Sequence, residues 1–391
     1  MPEQSRQSQR IRRNKEEYSL TGSQVMSLIT STIIGVGVLT LPRAVTDKAH
    51  QSGWISTILG GLIGIVVLWF ILKIARRFQG KGFISLAQEV MGSAKHPWVG
   101  KVLISPIILV FILYWLLTTA GVARTFGEVV VTAVLVRTPL EVIVGSMLLV
   151  AFTLVLYDLE VMARVNEVLL PIIIIPVLFI AVLSFQSADF TRLLPLMSVD
   201  WKGLLQGSLA AAFAYQGYEL LLLYMGNLPP DSQKTTRAAM LGIGFPILVY
   251  VLIVVAGISA FGYEELQQLM WPTLELVKTT EMPGLILERL ESAFLGVWVA
   301  AVFTTTANLF FSACYAAQKI GGLRTHRYVA VAVLPALYYM AMWPENVHQL
   351  FHYIEMADYM GLGCSLLAPM LLLLMAIIRK KGRHGSGGKA S

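Results

Sequence analysis

The sequence predicts an all-α integral membrane protein of about ten transmembrane helices, arranged as two five-helix halves of opposite topology. Three observations predict this fold class: the composition, the number of apolar runs, and the distribution of basic residues between those runs. Hydrophobic residues make up 56% of the 391-residue chain and charged residues 14%, with a mean hydropathy of +0.69. Since soluble domains carry about 25% charged residues, much of this chain must face lipid.

Ten apolar runs are long enough, or nearly so, to cross a bilayer as a helix, which takes about 20 residues. The runs are Leu20–Pro42, Trp54–Leu72, Val102–Ala123, Val142–Tyr157, Val168–Ala188, Gly203–Leu228, Ala238–Tyr263, Ser292–Gln318, Tyr328–Trp343 and Tyr359–Ile378. The fourth and ninth are short. The first follows a basic segment, as a signal peptide would, but it continues to Pro42 without a cleavage motif. We therefore interpret it as the first crossing.

The basic residues predict the orientation of the chain. If the N-terminus is cytoplasmic, 22 of the 30 lysine and arginine residues fall on the cytoplasmic side. Because cytoplasmic loops retain positive charge, both termini are predicted inside, with residues 1–19 as a cytoplasmic segment and 380–391 as a disordered basic, Gly/Ser-rich tail. The net charge of +7 reflects this loop bias, and no basic domain indicates a nucleic-acid partner.

Three connections are longer than simple links between crossings. Lys81–His96 has the pattern of a short amphipathic helix on the cytoplasmic face, and Asp189–Trp201 precedes the sixth crossing on the outer side. Glu264–Glu291 is an acidic outer loop with a helix-like stretch around Trp271–Lys278, which we interpret as a candidate lid.

An internal symmetry divides the membrane domain, residues 20–379, into halves at 20–188 and 202–379. Gly35 and Gly217 are separated by the same 182 positions as the starts of the first and sixth crossings, near Leu20 and Lys202. The first crossing enters from inside, whereas the sixth, after five crossings, enters from outside. Halves of opposite topology are the signature of inverted-repeat transporters, whose sites lie at discontinuous helices.

The first crossing contains two mid-membrane glycines, which predict a broken helix. Unwound backbone is tolerated at membrane depth only where it faces protein or a ligand, and the positive N-terminal end of the following half-helix suits a carboxylate. The candidate ligand-binding residues here are Ser31, Thr32, Gly35, Val36 and Gly37. Close helix packing is the alternative explanation of such glycines, and the matching break in the sixth crossing favours a binding site.

The sixth crossing combines glycine, polar side chains and a carboxylate. A carboxylate at the bilayer centre costs about 2.5–3.5 kcal/mol on insertion scales, so Glu219 is a functional candidate. The alternative, that it caps the broken backbone near Gly217, carries at least equal weight. The candidate ligand-binding residues of the sixth and third crossings are Phe213, Tyr215, Gln216, Gly217, Glu219, Tyr114 and Thr118.

Hydroxyl groups on the eighth crossing suggest a cation site beside the first. Its candidate residues are Ile34, Thr305 and Thr306. The alternative, which we favour, is that these threonines bond back to their own helix. The sequence holds no nucleophile–base pair, Walker loop or zinc motif, so neither an enzyme nor a cofactor is predicted.

Several segments carry a family resemblance. They are TSTIIGVGVLTLPR at 30–43, Trp54-Ile55-Ser56, LEVMARVNE at 159–167, and Gly217-Tyr218-Glu219. Together they resemble the B-subunit family of spore germinant receptors, a branch of the amino acid–polyamine–organocation permease superfamily. The resemblance spans essentially the whole chain and implies the permease fold that the inverted repeat predicts independently.

The resemblance also implies a function. It implies a subunit of the bacterial spore inner membrane that binds a small germinant, typically an amino acid, and works beside germinant receptor A and C subunits. Two alternatives stay open: a secondary amino-acid transporter coupled to sodium or protons, and a passive conduit in a larger complex. The same site residues would serve the transporter, so they do not distinguish it from a receptor.

Overall fold

The computed structural model describes residues 19–92, 97–195, 201–229, 231–279, 290–379 and 381. Across these ranges the chain is helical and contains no strand. Six helical stretches in them are long and apolar enough to cross a membrane, and two shorter apolar helices accompany them. With the two broken crossings, this agrees with the predicted all-α membrane protein of about ten crossings. Predictions for residues 1–18, 380 and 382–391 lie outside the described residues.

The first half begins with the broken crossing and continues with single helices. Its helices are α1 (Gly22–Ile33) and α2 (Gly37–Ala49), which form the first crossing, then α3 (Gly53–Arg77), α4 (Phe83–Met91), α5 (Pro97–Ala133), α6 (Leu140–Val155) and α7 (Leu159–Leu183). Helix α1 starts with a capping box, in which Thr21 and Gln24 satisfy each other's backbone N–H groups. Helix α4 lies within the segment Lys81–His96 and confirms that this segment contains a short helix.

The second half repeats this plan with a broken crossing first. Its helices are α8 (Trp201–Ala214) and α9 (Leu220–Leu223), which form the sixth crossing, then α10 (Ser232–Phe261), α11 (Tyr263–Gln268), α12 (Pro272–Lys278), α13 (Leu290–Gly321), α14 (Arg327–Met342) and α15 (Val347–Ile378). The described part of the connection before α8 contains a short 3₁₀ turn, Phe190–Leu193.

The packing of the helices follows the inverted repeat. Helix α1 packs against α10, and α3 packs against α8. These two pairs are equivalent under the repeat. Crossing 1 of the first half corresponds to crossing 6 of the second half, and crossing 2 corresponds to crossing 7. Helices α5 and α13, the third and eighth crossings, pack together at the centre. The inverted repeat is therefore confirmed, whereas the boundaries 20–188 and 202–379 stay a prediction.

The two broken crossings begin on opposite faces of the molecule. On the face where α1 starts, called the N-terminal face below, the Leu20 N–H donates to the Asn227 carbonyl beyond α9 at 2.8 Å. Helix α4 lies on the same face, where its start at Gly82 contacts Gly226. The Arg379 guanidinium, at the end of α15, donates to three carbonyls at the end of α4.

On the opposite face, called the far face, α11 and α12 cover the second half of the first crossing. The Thr273 hydroxyl donates to the Val38 carbonyl at 2.6 Å, and the Gln267 amide donates to the Thr46 carbonyl at 2.7 Å. The segment predicted as a candidate lid is thus packed on α2. Residues 280–289 of that loop lie outside the described part.

Several crossings extend further than their apolar runs because charged residues lie within the helix, among them the third and the tenth. Helix α5 continues past Ala123 since Arg124 pairs with Glu128 one turn later at 2.9 Å, with side chains only 6% and 14% exposed. Helix α15 begins at Val347 instead of Tyr359, so that several polar residues expected in an outer loop are helical.

Candidate functional site

The first crossing unwinds over residues 34–36, and donors from the eighth crossing satisfy the carbonyl groups that this exposes. The Thr305 hydroxyl donates to the Ser31 carbonyl at 2.9 Å and to the Thr32 carbonyl at 3.2 Å. The Trp298 indole N–H donates to the Gly35 carbonyl at 3.0 Å. A Cβ on Gly35 would lie 2.5 Å from the Thr305 Oγ1 atom, so only glycine admits this close approach.

The seventh crossing caps a further carbonyl, but the amide groups after the break stay free. The Tyr250 hydroxyl donates to the Ile33 carbonyl at 2.7 Å. The N–H groups of Val36 and Gly37, at the start of α2, have no acceptor among the described residues. The first break therefore offers hydrogen-bond donors at the positive end of a helix.

The sixth crossing unwinds opposite the first. Gly217 has a φ of +132°, which side chains with a Cβ rarely adopt. A Cβ there would lie 2.9 Å from the Thr32 Cγ2 atom, and a Cβ on Gly37 would lie 3.4 Å from the Ala214 Cβ atom. The two breaks therefore face each other, as the matched spacing predicts.

Glu219 caps the backbone of the sixth break. Its Oε2 atom accepts the Gly217 N–H at 2.7 Å, and its Oε1 atom accepts the Tyr114 hydroxyl at 3.2 Å and the Trp115 indole at 3.4 Å. The side chain is fully buried. Three donors thus surround this carboxylate, which supports the capping alternative and makes Glu219 and Tyr114 positioning residues for the break.

Several buried polar atoms around the breaks have no hydrogen-bond partner within the described part of the chain, and four of them lie on residues predicted for the site. These four belong to the side chains of Ser31 (Oγ), Thr118 (Oγ1), Tyr215 (the hydroxyl) and Gln216 (Oε1). Native proteins pair most buried polar groups, since leaving one unpaired costs about 1–3 kcal/mol. All four residues were predicted from the sequence, and their unpaired atoms can bind a small polar molecule.

The tenth crossing forms a further wall, which the sequence analysis missed. The Gln216 side-chain amide donates to the Asp358 carbonyl at 2.8 Å. Gly361, one turn further along α15, lets Gln216 and Tyr114 approach the helix so closely that a Cβ would overlap both. At the same contact between the sixth and tenth crossings, Phe213 packs edge-to-face on Tyr359, with ring centroids 4.8 Å apart.

The face of the eighth crossing that meets the first carries Thr304 and Thr305 instead of the predicted pair. Thr304 lies 3.3 Å from the Ser31 carbonyl but donates mainly to the Ala301 carbonyl of its own helix at 2.9 Å, and the Thr306 hydroxyl bonds back to Val302 in its own helix. The rotation from residue 305 to 306 turns the side chain away from helix α1. Thr306 is therefore a correction to the predicted cation site.

A buried polar chain continues from the first break toward the fifth crossing. The Asn308 amide donates to the Thr32 hydroxyl and to the Asn166 side chain, each at 2.9 Å. Asn166 donates back to Asn308 at 2.9 Å. The N–H group of Ile34, the third predicted cation-site residue, donates to the Thr30 carbonyl. The network fixes the rotation of α1, α7 and α13 around the break.

A cavity of about 380 Å³ opens on the N-terminal face. It lies between the starts of α1 and α7, the segment after α9, and the end of α13. Its lining includes Leu20, Gln24, Asp158, Arg164, Asn227, Tyr315 and His326. It is thus lined by ends of both broken crossings.

The comparison with known families settles the chain's family. The sequence profile described as "Spore germination protein" matches residues 19–350. The chain belongs to the spore germination protein family. Spore germination protein A2 of Bacillus subtilis (strain 168) is 28% identical over 361 residues, which cover 91% of this chain and 95% of that relative. Spore germination protein B2 of the same organism is 27% identical, covering 95% and 99%.

These relatives confirm the predicted resemblance to the germinant receptor family. Spore germination protein GerLB of Bacillus cereus is 27% identical, covering 90% of this chain and 93% of that relative. The family, the helices and the fold together define an integral membrane protein of permease type.

Solved transporter structures share the fold. MHP1, a nucleobase-cation-symport-1 family transporter in a closed conformation with bromovinylhydantoin bound, gives a TM-score of 0.64 at 14% identity and covers 93% of this chain and 79% of its own. MhsT in complex with L-phenylalanine gives 0.63 at 15% identity, covering 90% and 88%. At these identities the likeness shows the fold alone.

Proposed function

We propose that this protein is the membrane subunit of a spore germinant receptor that binds a small germinant, an amino acid, between its first and sixth crossings. The observation that carries the proposal is the pairing of the two breaks. The free N–H groups of Val36 and Gly37 lie opposite the unwound segment that holds the unpaired atoms of Tyr215 and Gln216.

The chemistry of these groups suits an amino acid. Two backbone N–H groups at a helix N-terminus favour a carboxylate. The unpaired side-chain oxygens beside them can accept hydrogen bonds from an ammonium group or donate a hydroxyl proton. The aromatic rings of Phe213 and Tyr359 supply an apolar surface for a side chain. Each end of a small zwitterion thus finds groups of the right kind.

Ligand binding would bias the protein between two arrangements of the broken crossings. A ligand shifts such an equilibrium only through different affinities for the two states. The N-terminal end of α1 is joined to the end of the sixth crossing through Leu20 and Asn227, and Gly226 abuts the start of α4. Movement of the breaks can therefore reach the N-terminal face through these contacts.

The family membership supports the setting of this function. Relatives over nearly the whole chain are spore germination proteins. We propose the spore inner membrane as the location, with both termini on the core side, and germinant receptor A and C subunits as partners. The charge distribution supports that orientation.

Thermal unfolding of the purified full chain in lipid nanodiscs tests the proposal. A ligand that binds only the folded state stabilises it, by about 2.7 kcal/mol at a concentration of 100 times its Kd. The melting temperature rises as a result. We expect at least one of the 20 common L-amino acids to do so, and Tyr215→Phe to reduce the shift. The absence of a shift with every amino acid would refute the proposal.

A secondary amino-acid transporter is the second candidate, and the cavity on the N-terminal face favours it. A transporter needs access to its site from both sides in turn, and this cavity is lined by ends of both broken crossings. Uptake of a radiolabelled amino acid into proteoliposomes distinguishes the two functions. Accumulation against a gradient, driven by sodium or protons, would establish transport, whereas binding without flux would establish a receptor.

A further inference from the structure

Asp358 places a carboxylate inside the membrane domain without a protein partner. It lies in α15, a membrane-spanning helix, and its side chain forms no hydrogen bond or ion pair with the described residues. An ionisable residue inside a transmembrane segment is expensive and is, by default, a functional candidate. The permease-type fold itself does not explain why a carboxylate occupies this position.

The basic side chains on neighbouring elements already have their own partners. Arg124 of α5 is paired with Glu128 at 2.9 Å, and Lys48 at the end of α2 is paired with Asp47 at 2.7 Å. The Arg43 guanidinium of α2 lies over the Phe351 ring, 5.5 Å from its centroid. Among the described residues, the carboxylate of Asp358 is thus left without a basic partner.

A second unpaired acceptor lies beside Asp358. The Gln216 side chain is 9% exposed, its amide nitrogen is held by the Asp358 carbonyl at 2.8 Å, and its Oε1 atom has no partner in the described chain. The same hydrogen bond fixes which atom of the carboxamide is free. Gly361, three residues after Asp358 and on the same helix face, brings Gln216 and Tyr114 onto this part of α15.

Most carbonyl groups of the first break are already occupied, which agrees with this assignment. The carbonyl groups of Ser31, Ile33 and Gly35, which could have met a ligand's ammonium group, each accept a side-chain donor. The N–H groups after the break stay free. The first crossing thus presents donors to a ligand, while unpaired acceptors lie between the sixth and tenth crossings.

We propose that Asp358 and the Oε1 atom of Gln216 form an anionic subsite that binds the primary ammonium group of a small organic cation or zwitterion. A primary ammonium carries three donors and no acceptor, which matches two oxygen acceptors where the sixth and tenth crossings meet. The rings of Phe213 and Tyr359 pack together at the same contact, and aromatic faces also favour a cation. For an amino acid this inference rests on the proposed function, with the carboxylate at Val36 and Gly37.

Matched ligands test the subsite in the full chain. L-alanine, L-valine and L-phenylalanine are each compared with the acid that lacks the amine (propanoate, 3-methylbutanoate, 3-phenylpropanoate) and the amine that lacks the carboxylate (ethylamine, isobutylamine, 2-phenylethylamine). The Kd of each compound is measured by calorimetry for the wild type, Asp358→Asn and Glu355→Gln. Glu355 is the matched control, since it is an exposed carboxylate one turn earlier on α15.

We expect Asp358→Asn to raise the Kd of those amino acids and amines that bind the wild type by about 30-fold, equivalent to about 2 kcal/mol. The acids should bind both proteins within twofold, and Glu355→Gln should leave every Kd within twofold. Unchanged amino-acid binding in Asp358→Asn would overturn the subsite alone. Equal loss for the acids would also overturn it, because the damage would then not follow the ammonium group.

The outcomes separate this inference from the proposed function. If no amino acid, acid or amine binds the wild type, both are overturned. If amines bind and depend on Asp358 while no amino acid binds, the subsite stands and the amino-acid receptor does not. The melting temperature of unliganded Asp358→Asn shows that this variant is folded. We expect it to be at least that of the wild type, because the substitution removes an unpaired carboxylate from the membrane domain.

Discussion

The two broken crossings solve the same problem, exposed backbone in the membrane, in opposite ways. At the first break, other helices supply donors to the carbonyl groups, through Thr305, Trp298 and Tyr250, and the amides stay free. At the sixth break, an acceptor from the same segment, Glu219, takes the Gly217 amide. One break is completed from outside and the other largely from within.

This difference gives the site a direction. The first break keeps unpaired N–H groups at Val36 and Gly37, whereas the sixth keeps an unpaired side-chain oxygen at Gln216. A ligand with an anionic and a cationic end is therefore favoured with its anionic end at the first break and its cationic end at the sixth. Two breaks with identical caps would bind a zwitterion equally well in either orientation.

Removal of the sixth-break acceptor should have the largest effect. Glu219→Ala leaves the Gly217 amide, the Tyr114 hydroxyl and the Trp115 indole buried without an acceptor. At about 1–3 kcal/mol for each unsatisfied group, we expect a loss of 3 kcal/mol or more. Glu219→Gln keeps one acceptor oxygen and should lose less. Melting temperature in nanodiscs measures both variants, and equal losses would show that the negative charge, instead of the hydrogen bonds, is required.

The backbone of the sixth break should be the next most sensitive. Gly217→Ala places a Cβ at a φ of +132°, 2.9 Å from the Thr32 Cγ2 atom, and should cost about 2 kcal/mol. Gly244→Ala in α10 is the matched control, because a Cβ there meets no atom within 4 Å and helix propensity favours alanine by about 0.5–1 kcal/mol. If both variants unfold at the same temperature, the break is not held in this conformation.

Two neighbouring tyrosines separate capping from ligand binding. The rings of Tyr215 and Tyr250 lie 5.2 Å apart, but only the Tyr250 hydroxyl has a partner, the Ile33 carbonyl. Tyr250→Phe should lose about 1–2 kcal/mol of stability. Tyr215→Phe should keep or raise the melting temperature of the unliganded protein, because it removes an unpaired buried hydroxyl, and should weaken L-valine binding about fivefold, as for one lost neutral hydrogen bond. A stability loss in Tyr215→Phe, with unchanged binding, would remove Tyr215 from the site.

The breaks themselves could be predicted from the sequence, because glycines and polar residues inside an apolar run stand out. Ser31, Tyr215 and Gln216 were selected on that ground, and the structure shows their unpaired atoms beside the breaks. The number of crossings was predictable for the same reason. Composition and length report membrane insertion directly.

The partners of the breaks could not be predicted, since they depend on how each helix is rotated against its neighbours. The threonine run of α13 contains three consecutive candidates, and only the structure shows that Thr304 and Thr305 face the first crossing. Asp358 was missed because polar residues at the start of α15 resemble a loop. The end of α5 was missed for a similar reason, because the charged residues Arg124 and Glu128 interrupt the apolar run although the helix continues through them.

The comparison of the breaks also predicts the smallest effect, that of sodium. A cation between the first and eighth crossings would need the oxygens of Ser31, Thr32 and the facing threonines, but the Thr305 hydroxyl already donates to those carbonyls. Replacing sodium by choline at constant ionic strength should therefore leave the Kd for L-valine within twofold.

Thr305→Val extends this test, since it removes the donor and leaves the Ser31 and Thr32 carbonyls without its hydrogen bonds. We expect a stability loss of about 1–2 kcal/mol that is the same in sodium and in choline, and that Thr305→Ser restores. A tenfold weaker Kd for L-valine in choline would instead mean that the threonine hydroxyls turn from donating to carbonyls to coordinating a cation when ligand binds. The first break would then be completed by an ion as well as by side chains, and the contrast between the two breaks would hold only in the unliganded state.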